Sequence, residues 1–181
     1  MRGGMEDLRD LRTMLNRLAK RLENDVRKLD ARVDKLMKLP DIIELEHLVK
    51  TLAWAMDLGD KDRWLSIWSD DIHYTVPQYN IDLRGKKALA EFAEVSIFNR
   101  EKRRFSSITN ILAEVTGDTA TARDYYMHYG YPINAETGEP SLERAFSEGM
   151  HYYKFRKADG IWKITGMEVY VHRRQEEGEA K

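Results

Sequence analysis

Hydrophobic positions along this chain follow two periods in turn, first helical and then strand-like. From Glu6 to Lys38 leucines recur every seventh residue, at Leu8, Leu15, Leu22, Leu29 and Leu36. A second stripe lies three residues on at Leu11 and Leu18, then slips to four at Val26 and Val33. This heptad pattern, free of Gly and Pro, predicts a coiled-coil-like helix over residues 1–39. So narrow a stripe suits a helical partner better than a broad core, so an oligomerisation arm giving a dimer or trimer is expected. The alternative is one long amphipathic helix folded back on its own domain. Leu39-Pro40 is expected to break the helix, with Asp41 capping the next.

Ile42, Ile43, Leu45, Leu48, Val49, Leu52 and Met56 give the following helix a broad apolar face, and Gly59 fits its C-terminal end. Trp64 and Trp68, four apart, share a face of a short helix over residues 61–68. A strand, Ile72 to Val76, comes next, then a loop and a helix from Lys86 to about Phe98. The basic run Arg100 to Arg104 reads as a solvated turn. From there strands dominate: Phe105 to Val115, Thr119 to Tyr131, and a hairpin of Met150–Arg156 and Trp162–His172 around Ala-Asp-Gly, a strong turn signal. Helices first and antiparallel strands afterwards predict an α+β domain over residues 40–174, a cone-shaped curved antiparallel sheet wrapped around the N-terminal helices. Residues 175–181 read as a disordered tail.

Charge changes the picture mainly by exclusion. The 181 residues carry 30 Lys and Arg against 31 Asp and Glu, so no global field draws the chain to nucleic acid or an anionic membrane. The absence of cysteine excludes disulfides, thiol nucleophiles and thiolate metal sites. No H-x-x-x-H or H-E-x-x-H spacing occurs and no glycine-rich phosphate loop, so neither metal nor cofactor is expected. No apolar run approaches the ~20 residues that span a bilayer. The segment MRGGMEDLRDLR lacks the apolar core of a signal peptide, and a soluble cytoplasmic protein is expected.

Along residues 119–131, Ala120, Ala122, Asp124, Tyr126 and His128 share one strand face, small residues at one end and polar ones at the other, as a tapering pocket would be lined. His151, Tyr153 and Phe155 form a similar column on the next strand. Acid, donor and base are thus available in facing columns, unless those columns face solvent or an interface. Asp57 lies where a helix end meets Trp64 and Trp68, so it is either a base in an apolar pocket or an ordinary helix-terminal acid. His47 and His172 are expected at the surface, and the face of His73 is open.

Asp57-x-Gly-Asp at the helix end, the passage WLSIWSDDIHY, Thr109-Asn110 on the next strand and DGIWKI in the last hairpin resemble the SnoaL-like group of the nuclear-transport-factor-2-like superfamily. The resemblance covers about Asp41 to Arg174. It implies a cone-shaped α+β barrel, and in the eliminating members an Asp–His pair whose Asp corresponds to Asp57. The dehydrochlorinase position for the His, three residues before Thr-Asn, holds Ser106 here. The cationic residue those members carry on the last strand has no counterpart in the expected register, where Met167 and Val171 fall.

On this basis the expected function is a cofactor-free lyase or isomerase acting on a compact, apolar cyclic, polyketide- or steroid-like molecule. Its expected catalytic residues are Asp57, His128, His151 and Tyr126, with Trp54, Trp68, Tyr74, Ser106, Asp124, Tyr153 and Met167 around the substrate. The alternative is a non-catalytic ligand-binding or scaffold module. WLSIWSDDIHYTVP also resembles the small subunit of ring-hydroxylating dioxygenases, which is a structural partner.

Overall fold

The computed structural model describes residues 3–175, and the expected tail over 175–181 lies outside them save for the backbone of Gln175. The chain divides into two compact units, one up to Pro40 and one from Asp41 onward. The described residues of the first unit are all helical, and Leu8, Leu15, Leu22, Leu29 and Leu36 are exposed on it. Helix α1 runs Gly3–Leu58 with Pro40 inside it, so the expected break at Leu39-Pro40 is absent. Proline there removes one N–H from the ladder. The strong helix formers Leu36 to Leu39 before it, and the buried face of Leu45, Val49 and Leu52 after it, carry the helix through that loss.

Asp41 is consequently no cap. Its carboxylate accepts from Lys157 Nζ at 2.7 Å and Trp162 Nε1 at 2.8 Å, tying α1 to the last hairpin. The Lys157 hydrogen bond, then that of Trp162, holds the Asp41 carboxyl below its ordinary range against a small desolvation cost. A depressed folded-state pKa gives stability that is present above the unfolded value of about 3.9 and lost as pH falls through the folded one. Asp41→Asn is therefore expected to reduce the loss of urea resistance between pH 6 and pH 3; an unchanged loss would show that the ion pair is silent.

α1 ends where Gly59 takes φ +71°, with Asp60 N–H bonding Ala55 C=O at 2.8 Å, a left-handed cap that a side chain would strain. Asp60 then caps α2 (Lys61–Ser66) through Arg63 N–H at 3.0 Å. β1 (Trp68–Val76) and the unforeseen β2 (Ile81–Arg84) form a hairpin edge, in which His73 Nε2 meets Asp82 at 2.9 Å. Helix α3 (Lys86–Ala93) follows, widening into a π turn over Glu94–Phe98.

Four long strands complete the domain: β3 (Glu101–Thr116), β4 (Thr119–Pro132), β5 (Ala145–Ala158) and β6 (Ile161–Gln175). The sheet order is β2-β1-β6-β5-β4-β3, antiparallel except for the parallel β1–β6 pair. The expected α+β cone is present, though the basic run is no turn, because β3 already begins at Glu101. Two bulges in β3 curve the sheet, marked by positive φ at Arg103 (+50°) and Asn110 (+56°). Alternation places Ala120, Ala122 and Asp124 of β4, and His151, Tyr153 and Phe155 of β5, on the buried concave face. Trp64, Trp68, Trp162 and Tyr153 anchor the core beneath them.

Candidate functional site

The concave face encloses a cavity of about 400 Å³ between α1, the α3 region and the sheet. Apolar side chains form most of its wall, among them Leu52, Met56, Trp64, Trp68, Phe92, Ile97 and Val169. Among the expected site residues Trp68, Tyr74, Ser106, Tyr126, His128, His151 and Met167 line it. Trp54 does not: it lies on the other face of α1 and is 64% exposed. Asp57, Asp124 and Tyr153 stand behind the lining, each bonded to a residue within it. His47 and His172 are at the surface as expected.

Two polar groups interrupt the apolar wall. The first starts at the end of α1, where Asp57 accepts Ser106 N–H on Oδ2 and the Ser106 hydroxyl on Oδ1, each at 2.7 Å. Register pairs Ser106 with His128 across β3 and β4, and Ser106 Oγ lies 2.9 Å from His128 Nδ1. His128 Nε2 in turn lies 2.7 Å from Glu101 Oε1. Asp57, Ser106, His128 and Glu101 thus form one unbroken line.

Glu101 was not legible as part of the site, because Glu101 and Ser106 are five apart and alternation would put them on opposite faces. The bulge between Lys102 and Phe105 adds one residue and restores Glu101 to the Ser106 side. Arg104, half-buried, donates to Ile97 C=O at 2.8 Å, and its charge acts on both Asp57 and Glu101. Burial alone would raise the Glu101 carboxyl, but the His128 hydrogen bond and charge, with Arg100 and Arg104, hold it below the ordinary range.

Protons can move along this line without changing their number. If Ser106 donates its hydroxyl proton to ionised Asp57, its oxygen accepts from Nδ1–H of His128. If it donates to His128 instead, Asp57 must carry the proton. Shifting the Ser106 proton toward Asp57 while His128 Nδ1 gives one to Ser106 interconverts the two. Serine therefore links the carboxylate to the imidazole where a direct Asp–His contact is expected from the resemblance.

The second group lies deeper. Tyr153 donates to Asp124 Oδ2 at 2.8 Å and lies 3.0 Å from His151 Nδ1. His151 Nδ1 is also 2.9 Å from Asp124 Oδ1, close enough for an ion pair, yet Oδ1 receives no aligned hydrogen bond. Burial, then the Asp124 charge, raises the Tyr153 hydroxyl well above its ordinary value, so it remains a donor. Tyr126 stacks on His151 with ring centroids 4.2 Å apart and an 8° interplanar angle. Burial raises the Tyr126 hydroxyl despite its contact with Ser147 Oγ at 3.1 Å, which keeps it protonated in the cavity wall.

β6 continues beyond the expected end of the hairpin, and Arg174 lines the cavity with its guanidinium 5.1 Å from the Tyr79 ring. A cationic residue of the last strand therefore does reach the site, three positions after Val171. Among the described residues, no group of three or more His, Asp or Glu side chains is arranged to hold a metal ion, and no helix is long and apolar enough to cross a membrane.

The SnoaL-like domain model matches residues 37–168, and the chain belongs to that family. None of the curated proteins compared matches it. Solved structures share the fold. A type 2 hexachlorocyclohexane dehydrochlorinase superposes with a TM-score of 0.68 at 17% identity, over 78% of this chain and 91% of that one. A candidate scytalone dehydratase from Novosphingobium aromaticivorans gives 0.65 at 14% identity, over 80% and 97%. A candidate aromatic ring hydroxylase from the same species gives 0.65 at 20% identity, over 76% and 93%.

Proposed function

We propose that this SnoaL-like protein is a cofactor-free lyase or isomerase that moves a proton on a compact, apolar, cyclic small molecule held in the cavity. The observation that carries the reading is the line from Asp57 through Ser106 and His128, which opens onto an apolar chamber. A site of this kind needs a proton acceptor, a donor for a developing oxygen anion, and exclusion of water. The His128 line supplies the first, and Tyr126, kept protonated by burial, supplies the second. His151, fixed by Asp124 and Tyr153, holds Tyr126 in place from beneath. Trp68, Tyr74 and Met167 shape the apolar wall. Likeness to dehydrochlorinase and dehydratase folds is consistent with elimination chemistry. A screen of cyclic hydroxy-ketones and halogenated rings for loss of water or halide tests it, and Tyr126→Phe should lower turnover more than binding.

A second reading, a non-catalytic or small-subunit-like module, is favoured by exposed Tyr125, Met127, Tyr152 and Tyr170 on the outer sheet and by the fold shared with a candidate ring hydroxylase. Tight binding of apolar ligands without turnover of any of them would favour it.

The exposed leucine stripe supports self-association as a dimer or trimer through the helical arm. Polar replacement of Leu15, Leu22 and Leu29 together is expected to lower the sedimentation mass while the domain from Asp41 onward stays folded by circular dichroism. An unchanged mass would rule the arm out as the source of assembly.

A further inference from the structure

We propose that Glu101 is the general base of the cavity, the group that exchanges a proton directly with the bound molecule, with His128 as its charge partner; this rests on the proton-transfer reading above. Asp57 stands behind the cavity lining, whereas Glu101 is part of it. Both ring nitrogens of His128 are engaged, Nδ1 by Ser106 and Nε2 by Glu101, so no lone pair of the ring remains for a substrate. A carboxylate that accepts one N–H bond still has lone pairs to offer.

Position 130 on β4 carries no side chain, and the Glu101 carboxylate occupies the space that a methyl group there would fill. Gly130 has no positive φ, so its smallness serves packing against Glu101 and no special backbone conformation. Glu101 is 8% exposed, so its carboxylate meets little bulk water and its free lone pairs are available to a molecule in the cavity that it lines. The charged groups around it are His128 on β4, Arg100 and Arg104 on either side in its own segment, and Asp57 beyond Ser106. A proton taken up by Glu101 on its free oxygen can return to the ligand at a second carbon or leave with the departing group.

The test uses the full chain and 5-nitro-1,2-benzisoxazole, an apolar probe that reports proton removal from carbon. The C3 proton moves to a Glu101 carboxylate oxygen, and the C–H electron pair becomes the third bond of a nitrile. The N–O bond breaks with its pair on the phenolate oxygen, whose absorbance is followed. The wild type should accelerate this step and keep its rate as pH falls to where an ordinary carboxylate loses its charge, because Glu101 stays ionised below the ordinary carboxylate range. Glu101→Gln should lose about 10²-fold or more. Gly130→Ala keeps the charge but displaces the carboxylate, and should lose most of the acceleration while the chain stays folded, its melting temperature lowered only as far as one lost buried hydrogen bond requires. If Glu101→Gln does not fold, Gly130→Ala and the pH profile decide. A rate already lost well above the carboxylate range, with Gly130→Ala at the wild-type rate, would make His128 the base and overturn the inference while the proton-transfer reading stands. No acceleration by the wild type would overturn both.

Discussion

His128→Gln is expected to slow proton transfer by about 10²–10⁴-fold, the range for a lost acid–base group, while leaving the fold intact. Glutamine can still meet Ser106 or Glu101 with its amide, but it can neither hold a charge beside Glu101 nor exchange a proton with Ser106. The line from Glu101 to Asp57 is cut at its centre. Replacements further back should cost less, because they act through His128. In Asp57→Asn one of the two acceptor oxygens facing Ser106 becomes an NH2 group. The Ser106 hydroxyl is then turned toward His128 Nδ1, which fixes one of the two proton arrangements and stops their exchange. Stability should change by only about 1 kcal/mol, as for a typical hydrogen bond. Initial rates with any turned-over substrate, paired with melting temperatures, check this; a His128→Gln rate equal to wild type would remove the imidazole from the chemistry.

Trp68→Ala is expected to cost about 3–5 kcal/mol of stability, the usual result of emptying a buried aromatic site. Trp68 is fully buried, meets Trp64 edge-on at 5.1 Å, and Trp64 meets Phe98 at 5.7 Å, so its loss opens a void beneath α2 and the cavity together. Urea unfolding should show a lower midpoint, and melting should fall by roughly 6–20 °C for a chain of this size. Trp68→Phe should be much milder: it keeps most of the ring and discards a buried N–H with no hydrogen-bond partner among the described residues. Equal losses for the two would mean that the indole nitrogen, through solvent, matters more than the packed ring.

The elements of the domain other than β2, and the concave columns of β4 and β5, were legible because burial enforces alternation. Ala120, Ala122 and Asp124 could not face outward without exposing the core. Asp57 was singled out by the helix end beside paired tryptophans and above all by the position the family resemblance gave it; it stands behind the lining, bonded to Ser106. What failed to show was non-local. Pro40 signals a break by its own chemistry, yet the helix formers around it override a single missing hydrogen bond. Glu101 and Arg104 read as part of a solvated basic run, since nothing in strict alternation reveals the bulge at Arg103 that turns Glu101 inward. Ser106 looked like the loss of a histidine. Only the pairing of β3 with β4 shows that His128 stands opposite it and that the hydroxyl joins the imidazole to Asp57.

The claim that this cavity moves protons on carbon is tested most directly by isotope exchange, which needs no knowledge of the natural substrate. With 2-tetralone, a compact cyclic ketone, in D2O, the protein should speed loss of the α-proton signals in the NMR spectrum above the buffer rate. His128→Gln and Glu101→Gln should return that rate toward buffer. An exchange rate equal to buffer, with the ketone shown by a raised melting temperature to be bound, would contradict the account.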